Sequence, residues 1–275
     1  INPETFCMDF NDIKKKITPK TKAIMVVHLG GQPQPEMIEL KKLCDEKGIF
    51  LIEDASHAHG STLSGKKLGS LGLAGCFSFF ATKILSTGTG GIITTDDPEL
   101  QKYAEAMRHQ GGIGGEGQIE QFDKFGFDWM MSEITAAIGV SQLSKLDKQN
   151  SKRQDLAKYY YEKLKNHELV KPLHPIPNTT NVFWRFITVL DEKLDRNFVR
   201  SELRTKYNID GGILYPVLCH LQPVYRNLGH KEGECPIAEK YIKRQLTLPI
   251  NPFMDTTDID YVVDSLNKVI ASSRN

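Results

Sequence analysis

A chain of 275 residues with 40% hydrophobic content can bury a sizeable core, enough for one large domain or two small ones. Its 35 basic and 34 acidic residues leave a net charge of +1, so it carries no electrostatic footprint for nucleic acid or for an acidic membrane surface. Cys7, Cys44, Cys76, Cys219 and Cys235 are scattered, without the paired spacing of a zinc site or a disulfide framework, and no apolar stretch reaches the length of a membrane span. Free thiols, no bound metal and a cytoplasmic location are the expectations.

The first half reads as an α/β unit. Residues 23–28 predict a strand, 35–47 a helix and 49–54 a second strand, a βαβ arrangement of the kind that builds parallel sheets. Residues 76–80 and 91–95 add two strands on either side of a glycine turn at 88–91. Asp97-Pro98-Glu99 opens a helix, with proline near its first turn. Between Gln110 and Gly117 lie five glycines, which suit an exposed tip or a lid over a site. From Ser132 to about Asn166 apolar residues recur at helical spacing, and a single helix of this length predicts a bridge between domains. Beyond a proline-rich stretch at 172–178, residues 182–190 predict a strand, 196–206 a helix, 213–215 a strand and 257–272 a final helix. The expected division is a large domain at 1–145 and a smaller α+β domain at 146–275 that includes the bridge.

Chemistry concentrates in the first half. Lys83 follows the apolar run Gly75-Cys76-Phe77-Ser78-Phe79-Phe80-Ala81-Thr82 and precedes the loop Ser86-Thr87-Gly88-Thr89-Gly90-Gly91. Partial desolvation lowers the pKa of a lysine and frees its amine to attack carbonyls. Phe50-Leu51-Ile52-Glu53-Asp54 ends in two carboxylates, and the carboxyl ends of strands in an α/β sheet are where ligands bind. Pyridoxal phosphate needs a carboxylate for its ring nitrogen and a lysine for its aldehyde, and Asp54 and Lys83 can supply both. Ser78 lies five residues before Lys83; if the strand ends near Phe80, its hydroxyl and the N–H groups of the glycine loop can share a phosphate. A hydroxyl satisfied within a core strand explains Ser78 equally well.

Glu53-Asp54-Ala55-Ser56-His57-Ala58-His59-Gly60, Phe77-Ser78-Phe79-Phe80-Ala81-Thr82-Lys83 and Gly88-Thr89-Gly90-Gly91 resemble the DegT/StrS-type aminotransferases. The resemblance spans about residues 18–250 and includes Ser132-Glu133-Ile134-Thr135-Ala136-Ala137-Ile138-Gly139 and Leu246-Thr247-Leu248-Pro249-Ile250. It implies a three-layer αβα large domain with a mostly parallel sheet, a smaller C-terminal α+β domain and pyridoxal 5'-phosphate as cofactor. Lys83 is then the Schiff-base lysine, Asp54 the partner of the pyridine nitrogen and Ser78 a phosphate ligand. His57 takes the place where many members have glutamine beside the cofactor's phenolic oxygen, and it brings a group able to change charge near neutrality. The implied reaction moves an amino group from a donor, often glutamate, to a keto-sugar nucleotide in amino-sugar biosynthesis. The implied assembly is a homodimer with its active sites at the interface.

Two departures stand out. Asp128 occupies a position where the family usually has an asparagine that reaches the partner's cofactor phosphate, and a carboxylate there repels phosphate unless protonated or bridged. Met130 stands where arginine is frequent. Members normally carry a further N-terminal segment, and Ile1-Asn2-Pro3 has no initiator methionine, so the chain is expected to be a fragment. These features favour another reading, a family member without turnover that keeps a structural or regulatory role, and the retained Lys83 leaves a third open, a dehydratase relative that makes an aminated aromatic acid.

Overall fold

In the computed structural model, which describes residues 1–113 and 121–273, the chain opens with helix α1 (Phe10–Lys16). The unit β1 (Ala23–Val27), α2 (Met37–Lys47) and β2 (Phe50–Asp54) follows. A short hairpin, β3 (Thr62–Leu63) and β4 (Lys66–Lys67), precedes β5 (Ala74–Ser78), β6 (Gly91–Thr94) and α3 (Pro98–Arg108). The strand order is β1-β2-β5-β6, with β2 parallel to both β1 and β5 and only β6 antiparallel, as a mixed α/β fold with a mostly parallel sheet requires. The register sets Val27 beside Asp54, Asp54 beside Cys76 and Ser78 beside Gly91, so the carboxyl ends of β1, β2 and β5 form one edge.

Alternation along β1 and β2 sorts the sheet faces. Ile24, Val26 and Leu51 are buried with Ile13 of α1 and Met37, Leu40 and Cys44 of α2. The opposite face of the same strands leaves Met25, Val27 and Phe50 exposed.

Past α3, β7 (Gly112–Ile113) pairs with β8 (Gln121–Phe122). The glycine-rich tip or lid predicted for 110–117 lies largely outside the described residues. Where one long helix was expected, two stand: α4 (Glu133–Leu143) and α5 (Leu146–Leu164). Ser132 caps α4 by accepting from the Thr135 N–H, and the chain tightens at its end, where Ser144 and Lys145 donate to the carbonyls of Val140 and Gln142. The two pieces meet different surroundings. Leu146 is buried against Ile84, Leu85 and Val182, whereas α4 buries no residue and exposes Ile134, Val140 and Leu143.

A second, antiparallel sheet takes the order β12-β11-β9, from β9 (Val170–Pro172), β11 (Phe186–Leu190) and β12 (Gln245–Leu248). It packs with α5, α6 (Arg196–Tyr207) and α9 (Thr256–Ser272) around Leu156, Tyr160, Phe186, Leu203, Leu246 and Leu266. Two short helices, α7 (Pro223–Arg226) and α8 (Pro236–Ile242), lie between α6 and β12. The strand expected at 213–215 does not form; only Gly212 bridges to Thr247, and the Leu214 N–H is satisfied by the Gln245 side chain instead.

One segment of the second half returns to the first half and joins the β3–β4 hairpin in a separate three-stranded sheet, β10-β3-β4. β10 (Thr179–Thr180) pairs with β3, and the Val182 N–H donates to Ser61 Oγ. Asn150 of α5 likewise donates to the His59 carbonyl. This return carries the residues that follow, Phe183, Trp184 and Arg185, toward the edge where β2 and β5 end.

Candidate active site

Strand β5 ends at Ser78, two residues earlier than the sequence suggested. The chain then turns, with the Lys83 N–H donating to the Phe80 carbonyl. The break in strand alternation removes the difficulty that Ser78 and Lys83 would otherwise face opposite ways. Ser78 is half-buried at the strand end beside Gly91, and its Oγ accepts from the Phe80 N–H.

The turn is anchored by Ile84 and Leu85, which are buried with Leu146 and Val182. Lys83 is left half-buried, without an ion pair among the described residues, its Nζ 4.8 Å from the Trp184 ring centre. Burial of the ammonium pushes the Lys83 pKa below its ordinary value; the Asp54 carboxylate opposes that shift and the Arg185 guanidinium adds to it.

Glu53 and Asp54, adjacent on β2, have separate tasks because successive side chains leave opposite faces. Glu53 is fully buried: its Oε2 accepts from His28 Nε2 (3.0 Å) and the Gly69 N–H (2.8 Å), and its Oε1 from the N–H groups of Leu71 (2.6 Å) and Gly72 (2.7 Å). His28 Nδ1 accepts from the Gln34 N–H, which leaves the ring's proton on Nε2 for the carboxylate. Burial works to raise the Glu53 carboxyl, but the bonds from His28, Gly69 and Gly72 outweigh it and hold the group below its usual range. Asp54 is half-buried on the other face, and among the described residues only the Ser56 N–H bonds its Oδ1. Its charge reaches Lys83, His57 and Tyr215.

His57 is 2% exposed, stacked on Trp184 with ring centres 3.8 Å apart and planes 13° from parallel, and its Nδ1 accepts from the Gly30 N–H. Burial and the Lys83 charge push its pKa down to about 3, so it stays neutral where the sequence suggested a group that titrates near neutrality. His59, between Phe77 and Phe79, is pushed down to about 4 by burial, opposed by the nearby Ser78 carbonyl. Neither of its ring nitrogens reaches a partner in good geometry.

The structure therefore brings Asp54, His57, Ser78 and Lys83 to one edge. Asp128 stands apart, exposed on a loop bridged to His109, with no hydrogen bond or ion pair to those four. Trp184 and Arg185 escaped the sequence reading. The Trp184 Nε1–H donates to the Thr82 carbonyl at 2.7 Å, and its ring lies against both His57 and Lys83. An indole followed by a guanidinium in a predicted strand gives no sign of this, because the contact depends on the returning segment. A cleft of about 270 Å³ lined by Gln32, Gln154, Lys158, Tyr161 and Asn181 touches none of these groups. No helix among the described residues is long and apolar enough to cross a membrane.

The groups suit pyridoxal phosphate. A half-buried amine without a counter-ion faces a carboxylate with lone pairs to spare, and a hydroxyl stands at a strand end beside a glycine loop. Comparison with known proteins agrees. GDP-perosamine synthase of Caulobacter vibrioides is 35% identical over 273 residues, covering 98% of this chain and 71% of that protein. Helicobacter pylori PseC, an aminotransferase of pseudoaminic acid biosynthesis, superposes with a TM-score of 0.92 at 26% identity, over 99% of this chain and 72% of that one. A Streptococcus pneumoniae protein solved in its PLP form superposes with a TM-score of 0.88 at 25% identity, over 99% and 74%. Residues 1–267 match the DegT/DnrJ/EryC1/StrS aminotransferase family, and the chain belongs to it.

Proposed function

We propose that the protein transfers an amino group from glutamate to a keto-sugar nucleotide in amino-sugar biosynthesis, with pyridoxal phosphate held at the edge formed by β2 and β5. The observation that carries this reading is the Lys83 amine, half-buried beside Trp184 and within the field of Asp54. Lys83 would hold the cofactor's aldehyde carbon, Asp54 its ring nitrogen and Ser78 with the glycine loop its phosphate, while neutral His57 bonds near the phenolic oxygen. When bound, the cofactor supplies an electron sink conjugated to the amino nitrogen.

The protein's own groups do the rest. Desolvation favours the neutral amine of Lys83, so once a substrate amine has displaced it, Nζ can take a proton from the substrate carbon and return it elsewhere. The Asp54 carboxyl would hydrogen-bond the ring nitrogen of a bound cofactor. The indole bond to the Thr82 carbonyl and the turn at Phe80 fix the lysine's backbone, which limits the positions Nζ can reach.

A homodimer belongs to the same proposal. Ile134, Ile138, Val140 and Leu143 are exposed apolar side chains around α4 that a second copy can cover, and Asp128 would then approach the partner's cofactor phosphate. Sedimentation equilibrium reading the mass of two chains supports the dimer, and a strictly monomeric protein rejects it.

The test of the cofactor site is absorbance of the purified chain with added pyridoxal phosphate, before and after borohydride, with Lys83→Ala as control. The expected result is a visible band in the wild type that borohydride bleaches while leaving the cofactor covalently attached, with band and attachment both missing in the variant. A band of equal strength in both would remove Lys83 from its role.

A further inference from the structure

We infer that Arg185 is the docking residue for a carboxylate of the amino donor, an inference that rests on the aminotransferase reading and adds a substrate contact to it. The guanidinium of Arg185 lies 4.9 Å from the Trp184 ring centre, and Lys83 Nζ lies 4.8 Å from it, so one indole carries both cations. Arg185 is exposed, and none of the ion pairs or side-chain hydrogen bonds among the described residues involves it.

The surrounding charge is lopsided. Among the described residues Arg153, whose Nη1 donates to the carbonyls of Phe183 and Ile250, has no carboxylate partner either, and its buried Nε is unpartnered. The Arg185 charge acts on both Lys83 and Arg153, while Asp54 is the acid whose charge reaches Lys83. An excess of positive charge beside the reacting amine attracts an anion, and the planar fork of a guanidinium matches a carboxylate with two parallel bonds. A donor amino acid must bring its amine to Lys83 while its carboxylates stay within a few bonds of that amine. Arg185, on the same indole as Lys83, stands where such a carboxylate arrives. Stacking on Trp184 holds the side chain without using up its donors.

The test uses the cofactor-free chain carrying Trp129→Phe, so that Trp184 is the single remaining tryptophan. Glutarate, which keeps the two carboxylates of glutamate and lacks the amine, is titrated against its fluorescence, with uridine diphosphate in a parallel arm. The expected result is saturable perturbation of Trp184 by glutarate, weakened tenfold or more by Arg185→Gln and partly restored by Arg185→Lys, with uridine diphosphate binding equal in all three. Absence of a glutarate response in the parent, or an Arg185→Gln shift below threefold, overturns the inference. Weakened uridine diphosphate binding with unchanged glutarate binding also overturns it, and assigns Arg185 to the nucleotide. Since no pyridoxal phosphate is present, failure of the cofactor linkage at Lys83 would leave this readout standing, and the two proposals fail separately.

Discussion

The imidazole of His57 lies flat on the indole of Trp184, which also donates to the carbonyl of Thr82, 102 residues away, and faces the amine of Lys83. One side chain from the second half of the chain thus braces two candidate site residues of the first.

Replacing Trp184 tests that brace. A stacked ring pair contributes about 0.5–1.5 kcal/mol and a partly exposed cation over a ring about 0.5–1 kcal/mol. Trp184→Leu loses both, and spectroscopic titration should show pyridoxal phosphate held about tenfold more weakly. Trp184→Phe keeps a stacking surface and should lose less. Equal affinity in Trp184→Leu and the wild type would show that the ring does not position Lys83.

Acid should destabilise the fold through His57 and His59. Each has an ordinary pKa of 6.5 in the unfolded chain and a lower one when folded, about 3 and about 4. Between those values the unfolded state binds more protons than the folded one. Stability therefore rises with pH across this window, and is lost as pH falls from 6.5, by about 1.4 kcal/mol per pH unit for each histidine. Urea unfolding at pH 7 and pH 5 measures the loss. His59→Leu, which replaces a ring with no partners by an apolar group between Phe77 and Phe79, should reduce the difference by about 2 kcal/mol. An undiminished difference in that variant would contradict the assignment.

Glu53 should matter for folding and Asp54 for the cofactor. Glu53→Gln places an amide N–H₂ among four N–H donors that require an acceptor, a cost of about 3 kcal/mol in chemical denaturation. Asp54→Asn should leave the denaturation midpoint nearly unchanged while it weakens pyridoxal phosphate binding. A Glu53→Gln protein as stable as the wild type would mean that the buried carboxyl is already protonated.

Local sequence decided much of the fold. Asp97 before Pro98 starts α3, and the Asp97 carboxylate accepts from the N–H groups of Glu99 and Leu100, because a short acidic side chain satisfies amides that an isolated helix end leaves unpaired. The runs before Asp54 and Lys83 predicted strands that end at the ligand-binding edge, since apolar β-formers followed by charge and glycine leave little other choice. Tertiary structure decided the rest. The apolar spacing through Ile138, Leu143 and Leu146 hides the break between α4 and α5, which appears only because Leu146 is buried against Ile84 and Leu85 while α4 buries no residue fully. The neutrality of His57 follows from burial under Trp184, and the cluster of Lys83, Trp184 and Arg185 follows from β10 pairing with β3. Burial and long-range pairing are properties of the assembled chain, and no window of neighbouring residues contains them.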